Sequence, residues 1–332
     1  MSHTFTAMQV SLDQSGARRE LVEHNFDQLP PGDVLVRVRY SSLNYKDALS
    51  ANGNKGVTRN YPHTPGIDAA GEVVHSDAAQ FKVGDAVLVT GYDLGMNTPG
   101  GFAEAIRVPA DWLVPMPDGL DAREAMVYGT AGFTAALAVA KIVASCKPHE
   151  GEVVVSGARG GVAGIALALL ARLGYKTVAA TRDPSAARAQ LEALGVSEII
   201  SNDELIGEAK KPLMPARWVA GLDTVGGEVL AGMLKSASQR GLITCCGNAA
   251  SIQLPISVFP FILRGVTLAG VDSQHAPMQQ RREIWRKLAG EWKLDLSGLP
   301  VQEVALDGLD ERITAMLEGR HSGRTLVRVL GH

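Results

Sequence analysis

Val153-Val-Val-Ser-Gly-Ala-Arg-Gly-Gly-Val-Ala-Gly164 is the segment that most strongly indicates how this chain folds. A valine-rich run stops at a glycine cluster, and an alanine- and leucine-rich helical pattern follows at once. A strand, a glycine turn and a helix in this order are the context in which such glycines predict dinucleotide binding, although the same turn can also be purely structural. Gly157 allows the tight turn, the helix N-terminus favours a pyrophosphate, and Ala163 is a tolerated replacement for the third glycine.

The tip of the next predicted strand indicates which dinucleotide is bound. Arg182 directly follows the short run Lys176–Thr181, and a cation there suits the 2′-phosphate of NADPH, although a solvated loop arginine is the alternative. Arg188 is a second candidate cation, whereas Asp183, which would favour NADH, is expected to cap the following helix. The predicted cofactor contacts in this part of the chain are Ser156, Ala158, Arg159, Gly160, Gly161, Val162, Thr181 and Arg182.

Composition predicts a soluble globular protein that is long enough for two domains. The chain has 332 residues, of which 46% are hydrophobic and 20% charged, and a formal net charge of -3. Neither a basic patch nor an apolar run of transmembrane length is evident, and the N-terminus lacks a signal-peptide pattern, so we expect no nucleic-acid or membrane partner. Three cysteines without repeated spacing, Cys146, Cys245 and Cys246, predict a reducing, cytoplasmic compartment.

The order of predicted elements divides the chain. Up to about Asp121, short strands and many turns predict a β-rich, barrel-like layer. From there to about Asp272, strands and helices alternate, which predicts a parallel sheet with helices on both faces. The predicted strands of this sheet are 152–156, 177–181, 198–200, 218–223, 241–245 and 267–271. A charged helix at 281–291 and a closing strand at 324–330 return to the first domain, and we expect the catalytic cleft between the domains.

Two segments of the first domain, Ser41-Ser-Leu-Asn-Tyr-Lys-Asp47 and Pro65-Gly-Ile-Asp-Ala-Ala-Gly-Glu-Val73, resemble the medium-chain dehydrogenase/reductase superfamily when taken with the nucleotide domain. The resemblance implies an α/β protein with a GroES-like β-rich catalytic domain, 1–122 and 273–332, and a Rossmann NADPH-binding domain with a doubly wound parallel sheet, 123–272. In its zinc enzymes a cysteine stands at the position of Asn44 and a histidine at that of Ile67. Neither residue offers a thiolate or an imidazole, so we expect no metal.

Finer motifs narrow the resemblance to the NADPH-dependent acryloyl-CoA reductase family, whose members have often been labelled quinone oxidoreductases. These motifs are Asn44-Tyr-Lys-Asp47, Tyr128-Gly-Thr-Ala-Gly-Phe-Thr134, Asp223-Thr-Val-Gly-Gly227, Phe259-Pro-Phe-Ile-Leu-Arg-Gly-Val266 and Gly270-Val-Asp-Ser273. The implied activity is reduction of the C2=C3 bond of acryloyl-CoA to propionyl-CoA. A quinone or enone reductase, and a non-enzymatic NADPH-binding protein, remain the alternatives.

The expected reaction needs a donor for the developing enolate oxygen and a proton for the α-carbon. Tyr45 is the first candidate for the proton donor or enolate contact, Asn44 offers an amide donor, and Arg264 is a cation for a phosphate or for ordering the cofactor. A packing tyrosine, a turn-forming asparagine and an ion-paired arginine are the alternatives. Further predicted cofactor contacts are Tyr45, Thr130, Asn248 and Arg324. Lys46 is a second cation that could hold a phosphate, and Lys55 and Arg59 are candidate cations for coenzyme A.

The apolar segment 254–263 and the strand after it predict a homodimer contact at the edge of the sheet, as in the resembled superfamily. Burial of the same segment within one subunit is the competing interpretation.

Overall fold

The computed structural model of the protein describes residues 4–208 and 210–330. The chain forms two compact units. Unit 1 contains Met1–Thr130, Gln274–Glu291 and Val301–His332, and unit 2 contains Ala131–Ser273 and Trp292–Pro300. Residues 1–3, 209, 331 and 332, which the predicted domains include, lie outside the described residues. The predicted domain limits, 122/123 and 272/273, stay predictions.

Strands and helices are numbered in chain order. The strands are β1 (Thr4–Asp13), β2 (Gly16–Asn25), β3 (Val34–Leu43), β4 (Asp68–Ser76), β5 (Ala86–Thr90), β6 (Ala105–Val108), β7 (Val114–Pro115), β8 (Glu152–Ser156), β9 (Lys176–Thr181), β10 (Glu198–Ser201), β11 (Trp218–Asp223), β12 (Ala237–Cys245), β13 (Thr267–Gly270), β14 (Val301–Ala305) and β15 (Arg324–Arg328). The helices are α1 (Tyr45–Ala51), α2 (Ala122–Ser145), α3 (Gly161–Arg172), α4 (Pro184–Ala193), α5 (Asn202–Ile206), α6 (Gly227–Lys235), α7 (Phe259–Arg264), α8 (Met278–Ala289) and α9 (Leu309–Leu317).

Unit 1 is built on a mixed sheet in the order β14-β15-β3-β4-β5-β7, with β6 also paired to β3. The hairpin β1–β2 forms a separate antiparallel pair. Alternating burial along β3 sends Val34, Val36 and Val38 into the core, as expected for a half-buried strand. The predicted closing strand is confirmed, because β15 pairs antiparallel with β3 and so begins beside the start of α1.

Unit 2 contains a parallel sheet in the order β10-β9-β8-β11-β12-β13. All six strands expected from the alternating pattern are present, with ends that differ from the prediction by at most a few residues. The chain runs outward from β8 to β10 and then restarts at β11 on the other side of β8. Ligands of such sheets bind at the carboxyl ends of the strands, at this reversal. Ser156 and Asp223 end the two strands that flank it.

Helix α2 is long and apolar enough to cross a membrane by length and composition alone. Of its most apolar window, 78% is buried inside the protein, so it is a core helix. Its side chains from Ala125 to Tyr128 are all buried, as expected for an apolar helix in the interior of a folded chain.

Candidate functional site

A buried polar cluster occupies unit 1 where β3, β4, α2 and β15 meet. We call it the Asp68 cluster, and its members are Ser42, Asn44, Asp47, Asp68, Thr130 and Arg324. Only Asn44 and Thr130 among these members are partly exposed. Because buried charged groups are costly unless they are hydrogen-bonded, we expect most polar atoms of the cluster to find partners within it.

Asp68 is the acceptor around which the cluster is organised. Its Oδ2 accepts from Ser42 Oγ at 2.5 Å, from Asn44 Nδ2 at 2.7 Å and from the Thr130 amide at 2.9 Å. Its Oδ1 accepts from Thr130 Oγ1 at 2.6 Å. One carboxylate thus holds the end of β3, the residue before α1 and the middle of α2 in one arrangement.

The amide of Asn44 is used inside the cluster. Its Nδ2 lies 2.7 Å from Asp68 Oδ2 and 3.2 Å from Asp47 Oδ2, and its Oδ1 accepts from Arg324 Nη1 at 3.3 Å. The sequence offers this amide as a donor to the substrate, but in the structure both ends of the amide have partners within the protein. Asn44 is therefore better suited to holding Arg324 than to donating to a ligand.

Asp47 shares these contacts and is fully buried. Burial, and then the nearby Asp68, raise the pKa of the Asp47 carboxyl to about 7, while hydrogen bonds from the amides of Asn44 and Ile67 and from the Asn44 side chain oppose this rise. These donors lie at 2.8 Å, 2.8 Å and 3.2 Å. These contacts give Asp47 a structural role, because it joins the start of α1 to the segment before β4.

Arg324 is the member of the cluster with an unused donor. Its side chain is 4% exposed, its Nε donates to the Val127 carbonyl at 3.0 Å, and its Nη1 donates to the carbonyl of Leu43 at 3.3 Å. Its Nη2 is buried and has no hydrogen-bond partner among the described residues. Burial lowers the pKa of the guanidinium, and the charges of Asp68 and Asp47 raise it. A buried cation with a free N–H is suited to an oxygen that gains negative charge.

Gly129 interrupts α2 beside this donor. Its φ of 51° and ψ of -155° lie in a region that side-chain-bearing residues rarely adopt. A Cβ at this position would lie 2.6 Å from Asp68 Oδ2 and 2.9 Å from Arg324 Nη2. The glycine is therefore needed so that the backbone of α2 can approach the cluster.

Residues at the end of β11 and directly after it hold the glycine turn of unit 2 in place. Gly157 has a φ of 64°, and a Cβ there would collide with Thr224 Oγ1. Ser156 Oγ donates to Asp223 Oδ1 at 2.6 Å and accepts from the Thr224 amide at 3.0 Å. The hydroxyl of Ser156, a predicted cofactor contact, is thus engaged in shaping the turn.

The residues after the turn begin α3. Gly160 is its N-cap residue, no side chain caps it, and Gly161 and Val162 form its first turn. The amide of Ala158 donates instead to the Ala180 carbonyl of β9 at 3.1 Å. The uncapped helix N-terminus leaves backbone N–H groups available for a phosphate.

Basic side chains gather at the tip of β9. Thr181 is buried at the end of the strand and Arg182 is exposed just after it. Arg159 Nε is buried without a partner among the described residues. The pKa of Asp183 is lowered mainly by the hydrogen bonds that its carboxylate accepts from Ala186 and Ser185, and the charge of Arg159 lowers it further. Asp183 caps α4 by accepting from the Ala186 amide at 3.0 Å, which confirms the predicted N-cap.

Two other predicted residues lie elsewhere. Asn248 is exposed and lines a cavity of about 660 Å³ with Cys245, Cys246, Gly247, Gly270, Val271 and Asp272. Arg264 donates to the carbonyls of Lys235, Ala237 and Met214 at 2.9, 3.0 and 2.6 Å. The guanidinium of Arg264 thus donates to the protein backbone, and its role at a phosphate or at the cofactor stays a prediction.

Tyr45 and the candidate cations of unit 1 are more exposed. Tyr45 is the first residue of α1 and its side chain is 51% exposed. Lys46 Nζ donates to Gln274 Oε1. Lys55 Nζ donates to the carbonyl of Arg59 at 2.9 Å and lies over the ring of Tyr61. The two lysines are thus engaged within the protein, whereas the Tyr45 hydroxyl makes no hydrogen bond in the described part of the chain.

Asp68 is the central residue of the cluster, and the sequence alone did not single it out. The neighbouring Ile67 attracts attention in the sequence, because it stands where zinc enzymes have a histidine. Nothing in the sequence shows that Asp68 itself holds Asn44, Thr130 and Ser42 together. Within the described ranges, no group of three or more histidine, cysteine, aspartate or glutamate side chains is arranged to hold a metal ion.

The fold and these two sites define the class of two-domain, dinucleotide-dependent oxidoreductases. Residues 30–118 match the alcohol dehydrogenase GroES-like domain. The chain is 40% identical over 328 residues to the acrylyl-CoA reductase AcuI of Ruegeria pomeroyi, covering 98% of this chain and 99% of that protein. It is also 40% identical over 331 residues to YhfP of Bacillus subtilis, provisionally named a quinone oxidoreductase, covering 99% and 100%.

Solved structures of similar proteins have the same fold as this chain. Escherichia coli YhdH with bound NADPH has a TM-score of 0.94 and 41% identity, covering 98% of this chain and 100% of that one. Bacillus subtilis YhfP with NAD bound has a TM-score of 0.95 and 39% identity, covering 99% and 100%. The chain belongs to the medium-chain dehydrogenase/reductase superfamily, in the family that contains these acrylyl-CoA reductase and YhfP proteins.

Proposed function

We propose that this chain is an NADPH-dependent reductase of short α,β-unsaturated CoA thioesters, with acryloyl-CoA as its substrate. The observation that carries the proposal is the buried Arg324 Nη2, a charged donor without a partner among the described residues, beside Thr130 and Gly129. The relationship to an acrylyl-CoA reductase supports the same substrate.

The thioester carbonyl oxygen is the group we assign to Arg324. When a hydride adds to the β-carbon, negative charge moves to this oxygen, and a fixed cation donor in a water-poor site stabilises that charge without reorganisation. Asn44 and the carbonyls of Val127 and Leu43 hold the guanidinium in place. Tyr45 remains the proposed proton donor for the α-carbon, because its half-exposed hydroxyl has no partner among the described residues.

NADPH fits the turn of unit 2. The uncapped N-terminus of α3 would hold the pyrophosphate, and the side chain of Arg159, whose Nε is buried without a partner in the described ranges, together with Arg182 would hold the 2′-phosphate. When bound, the cofactor supplies the hydride. The remaining proposed contacts are Tyr45, Thr130, Ser156, Ala158, Val162, Thr181 and Asn248. Because Bacillus subtilis YhfP has been solved with NAD bound, the preference of this chain for NADPH over NADH is tested below.

Replacing Arg182 or Arg159 by alanine is expected to raise the KM for NADPH about tenfold, because a charge-assisted hydrogen bond to the 2′-phosphate is lost. The KM for NADH, which lacks that phosphate, is expected to stay unchanged. Steady-state kinetics with both cofactors measure this. Arg188→Ala is the matched control, since Arg188 is exposed and paired with Glu192 at 3.2 Å. Equal effects on NADPH and NADH would remove both arginines from the 2′-phosphate site.

Oxidation of NADPH, followed by absorbance with acryloyl-CoA and with simple quinones, tests the function itself. We expect a higher kcat/KM for acryloyl-CoA. A higher value for quinones would favour the second candidate, a quinone reductase, which the provisional name of YhfP supports. Binding of NADPH without turnover of either substrate would indicate a non-enzymatic protein.

We also propose that the protein forms a homodimer through the free edge of its parallel sheet. Strand β13 is the last strand of the described sheet, and the neighbouring segment exposes Val258, Phe259, Ile262 and Leu263. Exposed apolar side chains in one patch are typical of interaction sites. Light scattering measures the mass, and a monomer at micromolar concentration would contradict this. The cytoplasmic location and the absence of a bound metal stay predictions.

A further inference from the structure

A second group of basic side chains lies next to the Asp68 cluster. Arg312 is on α9, and His321 is in the loop that joins α9 to β15. This loop folds back along the helix, because the Arg320 amide donates to the Ala315 carbonyl at 2.9 Å. His321 Nε2 lies 2.9 Å from Oγ1 of Thr325, the residue after Arg324.

Arg312 has no anionic partner in the part of the chain that the structure describes. Its side chain is half-buried, and its Nε is buried without a hydrogen bond. Neighbouring arginines do have an anionic partner, since Arg19 is paired with Asp310 at 2.5 Å and Arg320 with Glu318. A buried guanidinium N–H without an acceptor costs free energy, so this position is suited to an acceptor that comes from outside the chain.

The electrostatic surroundings of His321 show that positive charge accumulates here. Burial, and then the charges of Arg312 and Arg324, lower the pKa of His321 to about 4. The imidazole is therefore neutral near pH 7, between two guanidinium groups. Asp68 and Asp47 lie near Arg324, whereas Arg312 has no such compensation among the described residues. An anion bound beside Arg312 would compensate the charge of its guanidinium.

This group also lies close to the proposed reaction site. Helix α9 packs against α1, where Leu309 and Ile313 share a hydrophobic core with Ala48 and Ala51. Helix α1 starts at Tyr45, directly after Asn44 of the Asp68 cluster. A substrate whose reacting end contacts Arg324 could therefore place another part of its length near α9.

We propose that Arg312, together with His321, binds a phosphoryl group of the coenzyme A arm of the substrate. The guanidinium fork matches the geometry of phosphate oxygens, and Arg is preferred where such groups are recognised. His321 contributes a neutral imidazole N–H. This inference rests on the proposed function, because it assigns the phosphate-bearing part of the same substrate.

The test compares acryloyl-CoA with acryloyl-pantetheine, which has the same reacting end and no phosphate. Arg312→Gln is expected to raise the KM for acryloyl-CoA about tenfold and to leave kcat and the KM for acryloyl-pantetheine unchanged. Arg320→Gln is the matched control, since Arg320 is exposed and already paired with Glu318, and it is expected to change none of these values. Equal KM changes for both substrates, or no change for either, would overturn the proposal.

Calorimetric binding of free coenzyme A and of inorganic phosphate separates this proposal from the function itself. We expect coenzyme A to bind more tightly than phosphate, and Arg312→Gln to weaken that binding, whether or not acryloyl-CoA is turned over. If acryloyl-CoA is not reduced but coenzyme A binds through Arg312, the proposed reaction fails and the phosphoryl site stands. Arg312-dependent binding of phosphate as tight as that of coenzyme A would identify a free-anion site instead. Arg312→Lys, which keeps the charge, is expected to restore part of the affinity.

Discussion

Replacing Arg324 by glutamine is expected to lower kcat for acryloyl-CoA reduction by about 100- to 1000-fold, the usual effect of removing a donor to a developing oxyanion. The buried Nη2 is the free donor of the Asp68 cluster among the described residues, and glutamine provides neither its charge nor its reach. We expect the dissociation constant for NADPH to change little. Single-turnover kinetics and cofactor titration measure the two effects separately.

Two further variants make this result interpretable. Arg328→Gln changes an arginine on the same strand that is 40% exposed and 3.6 Å from Glu303, so it should retain wild-type kcat. Arg324→Lys keeps the buried charge, which protects the fold, but lacks the fork that contacts Val127, Leu43 and Asn44. If the glutamine variant lost NADPH affinity and kept kcat, Arg324 would be a cofactor contact, as the sequence also allows.

Replacing Asp68 by alanine is expected to lower the free energy of unfolding by about 3–5 kcal/mol, because several buried donors lose their acceptor and the buried Arg324 loses a compensating charge. Asp68 accepts hydrogen bonds from Ser42, Asn44 and Thr130, and its charge compensates Arg324. Urea denaturation followed by circular dichroism measures the loss. Activity should fall as well, because Asn44 would no longer hold the guanidinium.

Asp77→Ala serves as the comparison for stability. The Asp77 side chain is 71% exposed, and its carboxylate contacts the exposed His75 at 3.2 Å, so its loss should change the unfolding free energy by less than about 0.5 kcal/mol. Unfolding curves for Asp68→Ala that coincide with those of the wild type would show that the cluster does not stabilise unit 1.

Most of the parallel sheet could be predicted because its signals are local. Valine-rich runs, a glycine turn and an apolar helix each follow from neighbouring residues, and the predicted strands are all present. Asp183 was also predictable as a helix cap, since capping depends on a residue three positions away. Strand ends are harder to predict. Strand β12 begins at Ala237 and not at the predicted position 241, because pairing with β11 extends it beyond its apolar run.

The roles of Asn44 and Arg264 could not be predicted in the same way. The type of side chain indicated a donor and a cation, but the structure places both amide ends of Asn44 within the Asp68 cluster. It also directs Arg264 toward three backbone carbonyls. Whether a polar group is free depends on what lies near it in space, and those neighbours are far away in sequence.

Residue identity and contacts within one short segment are sufficient to predict the dinucleotide turn, the order of strands and helices, and the absence of cysteine and histidine at Asn44 and Ile67. The identity of the free donor in the Asp68 cluster depends instead on contacts between segments that are distant in sequence. Arg324 meets Asn44 across 280 positions, and Asp68 meets Thr130 across 62. Whether a donor finds an acceptor depends on its neighbours in space. Arg324 reaches the Asp68 cluster because β15 pairs with β3, and there its Nη2 is buried without a partner in the described part of the chain.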